Sequence, residues 1–578
     1  MKIHTIKTLS AAALIATLAA GCSSNMGNTA QVVPSERIKA DQIGYNAKSV
    51  KIAIVPDGAS DDFQIVDVQD NVVYKGKTSQ PAQWWASGTS VKQADFSDFD
   101  KQGVYYIKCD GAQKSYPFAI GDGIYTDLAN AAIKSFYFAR SGVEITQQYG
   151  GKYARPAAHP DTQVKVHKSA AGPKRKEGDI ISSPGGWYDA GDYNKYIVNS
   201  SITVWELLNA VEVHPEFAKS LKTNIPESNN NIPDIVDELL FNLRWMITMQ
   251  DPADGGVYHK LTALGFNGMI MPQDDKDERY VIQKSTTAAL DLAATCAKAY
   301  RVLQPYDAEL PGLRDSLMKT AEKAWGWAQK NPSVLYDKNP EGVMTGMYND
   351  IYIRDEFTWA AIEMTLSTGD AKKYMGNIKQ EDFDFATPAW DSTSVLGVMS
   401  ALNKPEYKDK FDAEMFAFMK DGIVKLADQY INDYQRTSYA TPLASFVWGS
   451  NSVAANQGIV LAAAYRATGN TKYLEAAQAD LHYILGRNPL DYCYVTGFGS
   501  NPVKDVHDRR AVADGIESPV AGYLCGGPNA TAKGDIPDSL YKYNTPAMRY
   551  CDINRSYTTN EIAINWNAAL IGLLFDVN

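Results

Sequence analysis

Pro233-Asp234-Ile235-Val236-Asp237-Glu238-Leu239-Leu240-Phe241-Asn242-Leu243-Arg244-Trp245-Met246-Ile247-Thr248-Met249-Gln250 reads as one amphipathic helix. Ile235, Leu239, Leu243, Met246 and Met249 recur at helical spacing on one side, and Pro233 stands where a helix can begin. Comparable periodicity runs through Thr287 to Leu303, Leu317 to Lys330, Phe357 to Leu366, Ser452 to Thr468 and Tyr473 to Leu485. From about residue 124 onward the chain therefore predicts roughly a dozen helices joined by motif-bearing loops, a mainly α domain.

Upstream the period changes. Ser49 to Val55, Phe63 to Val68 and Gly103 to Lys108 are short, β-branched or aromatic, and separated by turns, which predicts a small β-sandwich. The chain of 578 residues exceeds the size at which one core stops growing, and the boundaries fall at 37–121 for the sandwich and 122–578 for the helical domain. A formal charge of -11 argues against a nucleic-acid partner.

Lys2, Lys7 and the apolar run Leu9 to Ala20 form an export signal too short to span a membrane. Ending at Gly21-Cys22-Ser23-Ser24, it resembles a bacterial lipoprotein signal with Cys22 as the lipidated residue. Ser23 after that cysteine favours the outer membrane of a Gram-negative cell, so membrane contact is expected through the lipid alone. Residues 23–36, rich in Ser, Asn and Gln, read as a flexible tether. Beyond Cys22, the odd set Cys109, Cys296, Cys493, Cys525 and Cys551 leaves at least one thiol unpaired, with Cys525 and Cys551 the candidate bridge. No cysteine spacing fits zinc.

The chemistry concentrates in Gly185-Gly186-Trp187-Tyr188-Asp189-Ala190-Gly191-Asp192-Tyr193-Asn194-Lys195-Tyr196, two carboxylates three residues apart among aromatics. Glycosidic cleavage needs one protonated carboxyl for the leaving oxygen and one ionised carboxylate for water or the sugar. Asp192 reads as general base, Asp189 as a second holder of the water, and Glu561 as general acid. Trp187, Tyr188, Tyr193 and Tyr196 offer faces for a pyranose. The plainer readings are that Asp-rich turns bond their own backbone, and that Glu561 sits in a first helical turn behind the caps Thr558, Thr559 and Asn560. A helix N-terminus would lower the pKa of Glu561, whereas an acid needs it raised, so burial or the charge of Asp189 and Asp192 has to prevail.

Further motifs extend the pattern: Tyr550, Asp552, Tyr557, Glu561 and Asn567-Ala568; Tyr494 to Asn501 leading to His507-Asp508-Arg509; Trp448-Gly449-Ser450-Asn451; Leu485-Gly486-Arg487-Asn488-Pro489; and Gly526-Gly527-Pro528-Asn529. Together they resemble glycoside hydrolase family 9, the inverting cellulase-type enzymes, over nearly all of the mature chain. The resemblance implies an (α/α)6 toroid with its cleft at one end, preceded by an immunoglobulin-like domain that Ala40 to Tyr45 introduces and that reads as a structural brace. It implies Asp192 as base, Asp189 as its partner on the water and Glu561 as acid. His507 and Arg509 would bind the sugar flanking the cut, with Tyr557 and His259 beside the cleft. Trp359 and Tyr348-Asn349-Asp350 stand near other landmarks.

Inversion places the base and acid carboxyls about 6.5–9.5 Å apart. Cys493 and Asp508 depart from the family pattern. Asp508 would suit an ammonium-bearing sugar, or would pair with Arg509 or Arg510. The chemistry requires no cofactor. Calcium is known in relatives, and Asp274-Asp275-Lys276-Asp277-Glu278 is a candidate loop, though equally a solvated charge run.

The expected activity is exo-cleavage of short β-1,4-linked gluco- or glucosamino-oligosaccharides, as a β-glucosidase or exo-glucosaminidase. The alternatives are an endo-β-1,4-glucanase and a non-catalytic oligosaccharide-binding lipoprotein.

Overall fold

The computed structural model describes residues 36–578. Cys22, the export signal and nearly all of the tether lie outside the described residues.

Eight strands form the N-terminal domain: β1 (Gly44–Tyr45), β2 (Ile52–Pro56), β3 (Asp62–Asp67), β4 (Val72–Lys77), β5 (Ala82–Trp84), β6 (Thr89–Asp95), β7 (Gly103–Cys109) and β8 (Phe118–Ile120). They make a five-stranded sheet in the order β1-β8-β7-β3-β4 and a three-stranded sheet in the order β2-β6-β5. Ala53 and Val55 from one sheet and Phe63, Ile65, Ile107 and Phe118 from the other share a single core, so this is a sandwich. Strand β6, Thr-Ser-Val-Lys-Gln-Ala-Asp, was not legible in the sequence because its alternation is nearly all polar. Lys92 within it is nonetheless buried, its Nζ donating to Ala59 O at 2.6 Å and Asp61 at 2.8 Å.

The sandwich is clamped to the helical domain by side chains as well as backbone. Trp84 is buried against Tyr439 and Phe446, with ring centroids 5.1 and 5.8 Å away. Asp41 meets His482 at 2.9 Å, and the Tyr125 hydroxyl donates to Gly44 O at 2.8 Å. Gly486 sits so close to the sandwich that a Cβ there would lie 2.8 Å from Ala40 O, at a φ of +135°. The Leu485 to Pro489 landmark is therefore a docking surface for the brace.

Twelve helices build the ring that follows: α1 (Thr126–Ala139), α2 (Ile197–Val213), α3 (Asp234–Thr248), α4 (Thr286–Val302), α5 (Leu313–Lys330), α6 (Arg354–Thr368), α7 (Ala371–Tyr374), α8 (Ser394–Leu402), α9 (Ala413–Arg436), α10 (Ser450–Thr468), α11 (Thr471–Ile484) and α12 (Ile564–Val577), while four short ones, Gln147–Gly150, Pro215–Ser220, Arg509–Ala513 and Tyr557–Asn560, lie in the connections. The even-numbered helices pack one against the next in a ring that α12 closes on α2, and the odd-numbered helices lie outside them. In the inner helix α4, 15 of 17 residues are buried. In the outer helix α5, only 7 of 18 are. An inner helix needs apolar or small residues all round, whereas an outer one needs a single apolar stripe. The domain is an (α/α)6 toroid in which α7, one turn long, is the shortest outer member.

Five short strands cover one face of the toroid: β9 (Val164–Val166), β10 (Ile180–Ile181), β11 (Lys195–Tyr196), β12 (Lys260–Thr262) and β13 (Tyr280–Val281), in the order β10-β9-β13-β12-β11. With two or three residues each they give no period-2 signal. They hold the loops that carry the cleft.

Candidate active site

Distant stretches of backbone converge on the Asp-Ala-Gly-Asp segment. Ala190 bridges Ala563, Ile564 N donates to Asp189 O at 2.9 Å, and Arg509 N donates to Gly191 O at 3.1 Å. A Cβ on Gly191 would lie 2.4 Å from His507 O, so only glycine allows this approach. His507 in turn bridges Glu561, and Gly526 N donates to Glu561 O at 2.9 Å. The amides and acids of the other landmarks hold the platform together. Asn567 accepts from Leu524 N at 2.7 Å and donates to Ser135 Oγ at 2.7 Å. Asn451 donates to Cys525 O at 2.9 Å, and Asp552 accepts from Lys504 N and Asp505 N, both at 3.0 Å.

Asp189 and Asp192 are both buried but differently supported. Asp189 accepts from Asn199 Nδ2 at 2.8 Å and from the Tyr348 hydroxyl at 2.6 Å. Burial first, and then the charge of Asp192, pushes its pKa up to about 8. Tyr348 reaches it from a left-handed backbone, φ 48°, a conformation that costs a non-glycine residue about 1–3 kcal/mol. Asp192 Oδ2 accepts from Asn194 Nδ2 at 2.6 Å, with the Tyr196 hydroxyl at 3.4 Å, while Oδ1 has no partner within the protein. Asn194 is locked in turn, because its Oδ1 accepts from Thr262 Oγ1 at 2.9 Å and Ala263 N at 3.0 Å. Its amide can only present N–H to the aspartate.

Glu561 lies in extended backbone (φ -70°, ψ 158°), ahead of α12 rather than in its first turn. Burial, then the charges of Asp192 and Asp189, raise its pKa well above the carboxylate range, with Arg509 opposing. The conflict expected from a helix N-terminus does not arise.

Asp189, Asp192 and Glu561 share the wall of a cleft of about 790 Å³. His507 and Arg509 line it too. His507 Nδ1 donates to Asn554 O at 2.6 Å, which leaves Nε2 as an acceptor, and burial lowers the pKa of the ring so that it stays neutral. Arg509 is fixed by Asn267 O at 3.1 Å and Gly191 O at 2.8 Å. Tyr557 lines the cleft beside Trp448 and His507, with ring centroids 5.6 and 5.7 Å apart.

Five sequence expectations are corrected, the first being Tyr193, which is buried with its hydroxyl donating to Ile270 O at 2.6 Å and does not line the cleft. Trp187 is fully buried against Phe136 with Nε1 donating to Glu238 at 3.2 Å. Tyr188 is fully buried with its hydroxyl on His159 at 2.8 Å. Both serve the wall behind the acids, since a segment buried on both faces spends its aromatics on packing. His259 is stacked on Tyr336 at 3.9 Å, with Nε2 on Met347 O at 2.8 Å, so it supports the loop that bears Tyr348 without reaching the cleft. Asp508 is buried, caps the short helix Arg509–Ala513, pairs with Arg510 through Oδ1 at 2.8 Å and does not line the cleft, so it offers no carboxylate there for an ammonium group. Trp359 is core.

Sequence reasoning missed Asn194, Phe266, Trp390, Trp448 and Trp566 and gave Tyr348 little weight. Trp448 alone carried a signal, as the exposed start of a landmark just before α10.

Cys109, Cys296, Cys493, Cys525 and Cys551 are all free, so the Cys525–Cys551 bridge does not form. Cys525 is buried with Sγ 3.6 Å from the Tyr550 hydroxyl. The calcium-candidate loop spends most of its carboxylates internally: Asp275 on His159 at 3.0 Å and Asn267 at 2.9 Å, and Glu278 on Lys165 and on Tyr280 at 2.6 Å. Among the described residues no three Asp, Glu, His or Cys side chains gather as a metal site. Asp291, Asp355 and Glu356 do crowd together around Asp350, and burial first raises all three, with the charge of Asp350 adding to each.

The model of glycosyl hydrolase family 9 matches residues 125–574, and that of the cellulase N-terminal Ig-like domain matches 33–114. The chain belongs to glycosyl hydrolase family 9. It is 41% identical to a xyloglucan-specific endo-beta-1,4-glucanase of Bacteroides ovatus, over 94% of each chain. It is 33% identical to endoglucanase D of Acetivibrio thermocellus, over 93% of this chain and 82% of that one. A solved family 9 structure from Bacteroides ovatus superposes with a TM-score of 0.86 at 39% identity, over 94% of this chain and 99% of that one. As a family 9 member the protein is a glycoside hydrolase.

Proposed function

We propose that this family 9 enzyme is an inverting endo-β-1,4-glucanase. The observation that carries the reading is that Asp192, with an unpartnered Oδ1, and Glu561, with a raised pKa, line one cleft. Asp192 Oδ1 accepts a proton from the attacking water, and Asp189 helps to hold that water. Glu561 enters protonated and gives its proton to the departing oxygen. His507 Nε2 and Arg509 bind hydroxyls of the sugar beside the cut.

Endo action replaces the exo preference of the sequence reading for two reasons. Aromatic rings stand in two groups on the cleft wall, Trp448 with Tyr557, and Tyr196 with Tyr348 and Trp390, which suits several consecutive sugars. The pairing of Asp508 removes the argument for glucosamine. The names of the relatives favour β-1,4-glucan, and the xyloglucan-specific one adds branched glucan to the substrates worth testing.

Soluble β-1,4-glucan tests the reading. Rapid viscosity loss at low reducing-end release, with α-configured products by NMR, supports it. Monomer release without viscosity loss restores the exo reading, and β-configured products overturn inversion. We also infer that Cys22 is lipidated. A Cys22→Ala variant is then expected to move from the membrane to the soluble fraction, and an unchanged distribution would refute the anchor.

A further inference from the structure

Six large apolar side chains, Phe266, Met269, Met344, Met347, Ile351 and Tyr352, stand exposed on two neighbouring loops. The loops are joined, since Met344 N donates to Leu264 O at 2.8 Å, and a Cβ on Gly265 would meet Met344 at 3.7 Å. They are also anchored from beneath, by Lys260 Nζ on Gly346 O at 2.7 Å and His259 on Met347 O. Phe266 and Met347 line the cleft, whereas Met269, Met344, Ile351 and Tyr352 do not. Tyr352 is 79% exposed and Met344 74%. Exposed apolar side chains on two joined loops that reach the lip of a binding cleft through Phe266 and Met347 mark a contact surface.

We propose that this shelf docks the side-branch sugars of a branched β-1,4-glucan. The reasoning rests on the glucanase reading above. The rings inside the cleft are flat and rigid, suited to the regular faces of a glucan backbone. Outside it the shelf is built of unbranched thioethers, an isoleucine and one projecting tyrosine, side chains that adapt to irregular shapes. Branches project away from the backbone, so they leave the cleft and meet what lies beyond its lining. Exposed Asn349 on the same loop supplies an amide for their hydroxyls.

The test uses cellotetraose and cellotetraose carrying α-1,6-linked xylose, cleaved by the wild type and by a Met344→Ala/Tyr352→Ala double variant of the full chain. Neither residue lines the cleft, so activity on the linear substrate also reports that the variant is folded. The expected result is a five- to twentyfold fall in kcat/KM on the branched substrate, expressed mainly in KM, with the linear substrate unchanged. Equal losses on both would overturn the proposal by assigning the shelf to the backbone. An unaltered rate on the branched substrate, or a wild type that cleaves only the linear one, would overturn it as well. A wild type that cleaves neither substrate would instead defeat the glucanase reading on which it rests.

Discussion

Asn194 fixes which oxygen of Asp192 is left without a protein partner. Its Nδ2 takes Oδ2, and Thr262 with Ala263 prevents the amide from turning over. Hydrogen bonds to charged groups contribute about 1.5–3 kcal/mol, so Asn194→Ala is expected to lower kcat about 10- to 100-fold with KM little changed. Steady-state kinetics on cellotetraose check this, and a loss confined to KM would refute it. Electrostatics around the acid give a second prediction. Because Asp189 raises the pKa of Glu561, the residual activity of Asp189→Asn should lose its basic side at lower pH than the wild type does. A pH profile of kcat/KM checks the direction. The three carboxylates were legible because each sits in a short contiguous motif. Asn194, inside the same run, was not, because its orientation is decided by Thr262 and Ala263 on β12 and just beyond it. Adjacency misled at Trp187 and Tyr188, since a neighbour in sequence need not face the same way.

At the scale of elements, the long helices were legible from their period, and the short strands β9 to β13 were not. The toroid's inner helices carry a load that periodicity does not reveal. Asp291 in α4 faces Asp355 and Glu356 at the start of α6, with Asp350 beside all three, and both oxygens of Asp291 lack a hydrogen-bond partner. All three carboxyls have raised pKa values, that of Asp355 about 6. A carboxyl whose folded pKa exceeds its unfolded one contributes its full stability below the unfolded pKa, and loses it as pH rises through the folded pKa. Stability contributed by this cluster should therefore decline from about pH 4 upward, and at pH 6 and above the buried charge becomes a burden. Asp291→Asn is expected to raise Tm by about 1–3 °C at pH 8 and by less at pH 4. Calorimetry at the two pH values checks this, and a lower Tm at pH 8 would refute it.

For the whole molecule, the sandwich acts through its contact with the toroid. Trp84 packs on Tyr439 and Phe446, and the latter lies next to Val447 and Trp448 of the cleft wall. Removing a buried tryptophan costs about 3–5 kcal/mol. Trp84→Ala is expected to expose the junction to limited proteolysis and to weaken binding of long substrates more than of short ones. Retained protection would show that the hydrogen bonds of Asp41 and Tyr125, with that of Gln42 N to Leu485 O at 2.9 Å, suffice. The two-domain order was legible from the change of period near residue 120, but this junction was not, because Trp84 and Tyr439 meet only in the folded chain.

The division of labour between Asp192 and Glu561 is tested most directly by varying the leaving group. On cellotetraose, Glu561→Gln and Asp192→Asn should each lose about 10²–10⁴ in rate, as expected for general acid–base groups. On 2,4-dinitrophenyl β-cellobioside, whose phenolate departs without a proton, Glu561→Gln should recover to within about tenfold of wild type while Asp192→Asn stays inactive. Recovery of Asp192→Asn, or a Glu561→Gln variant equally impaired on both substrates, would contradict the assignment.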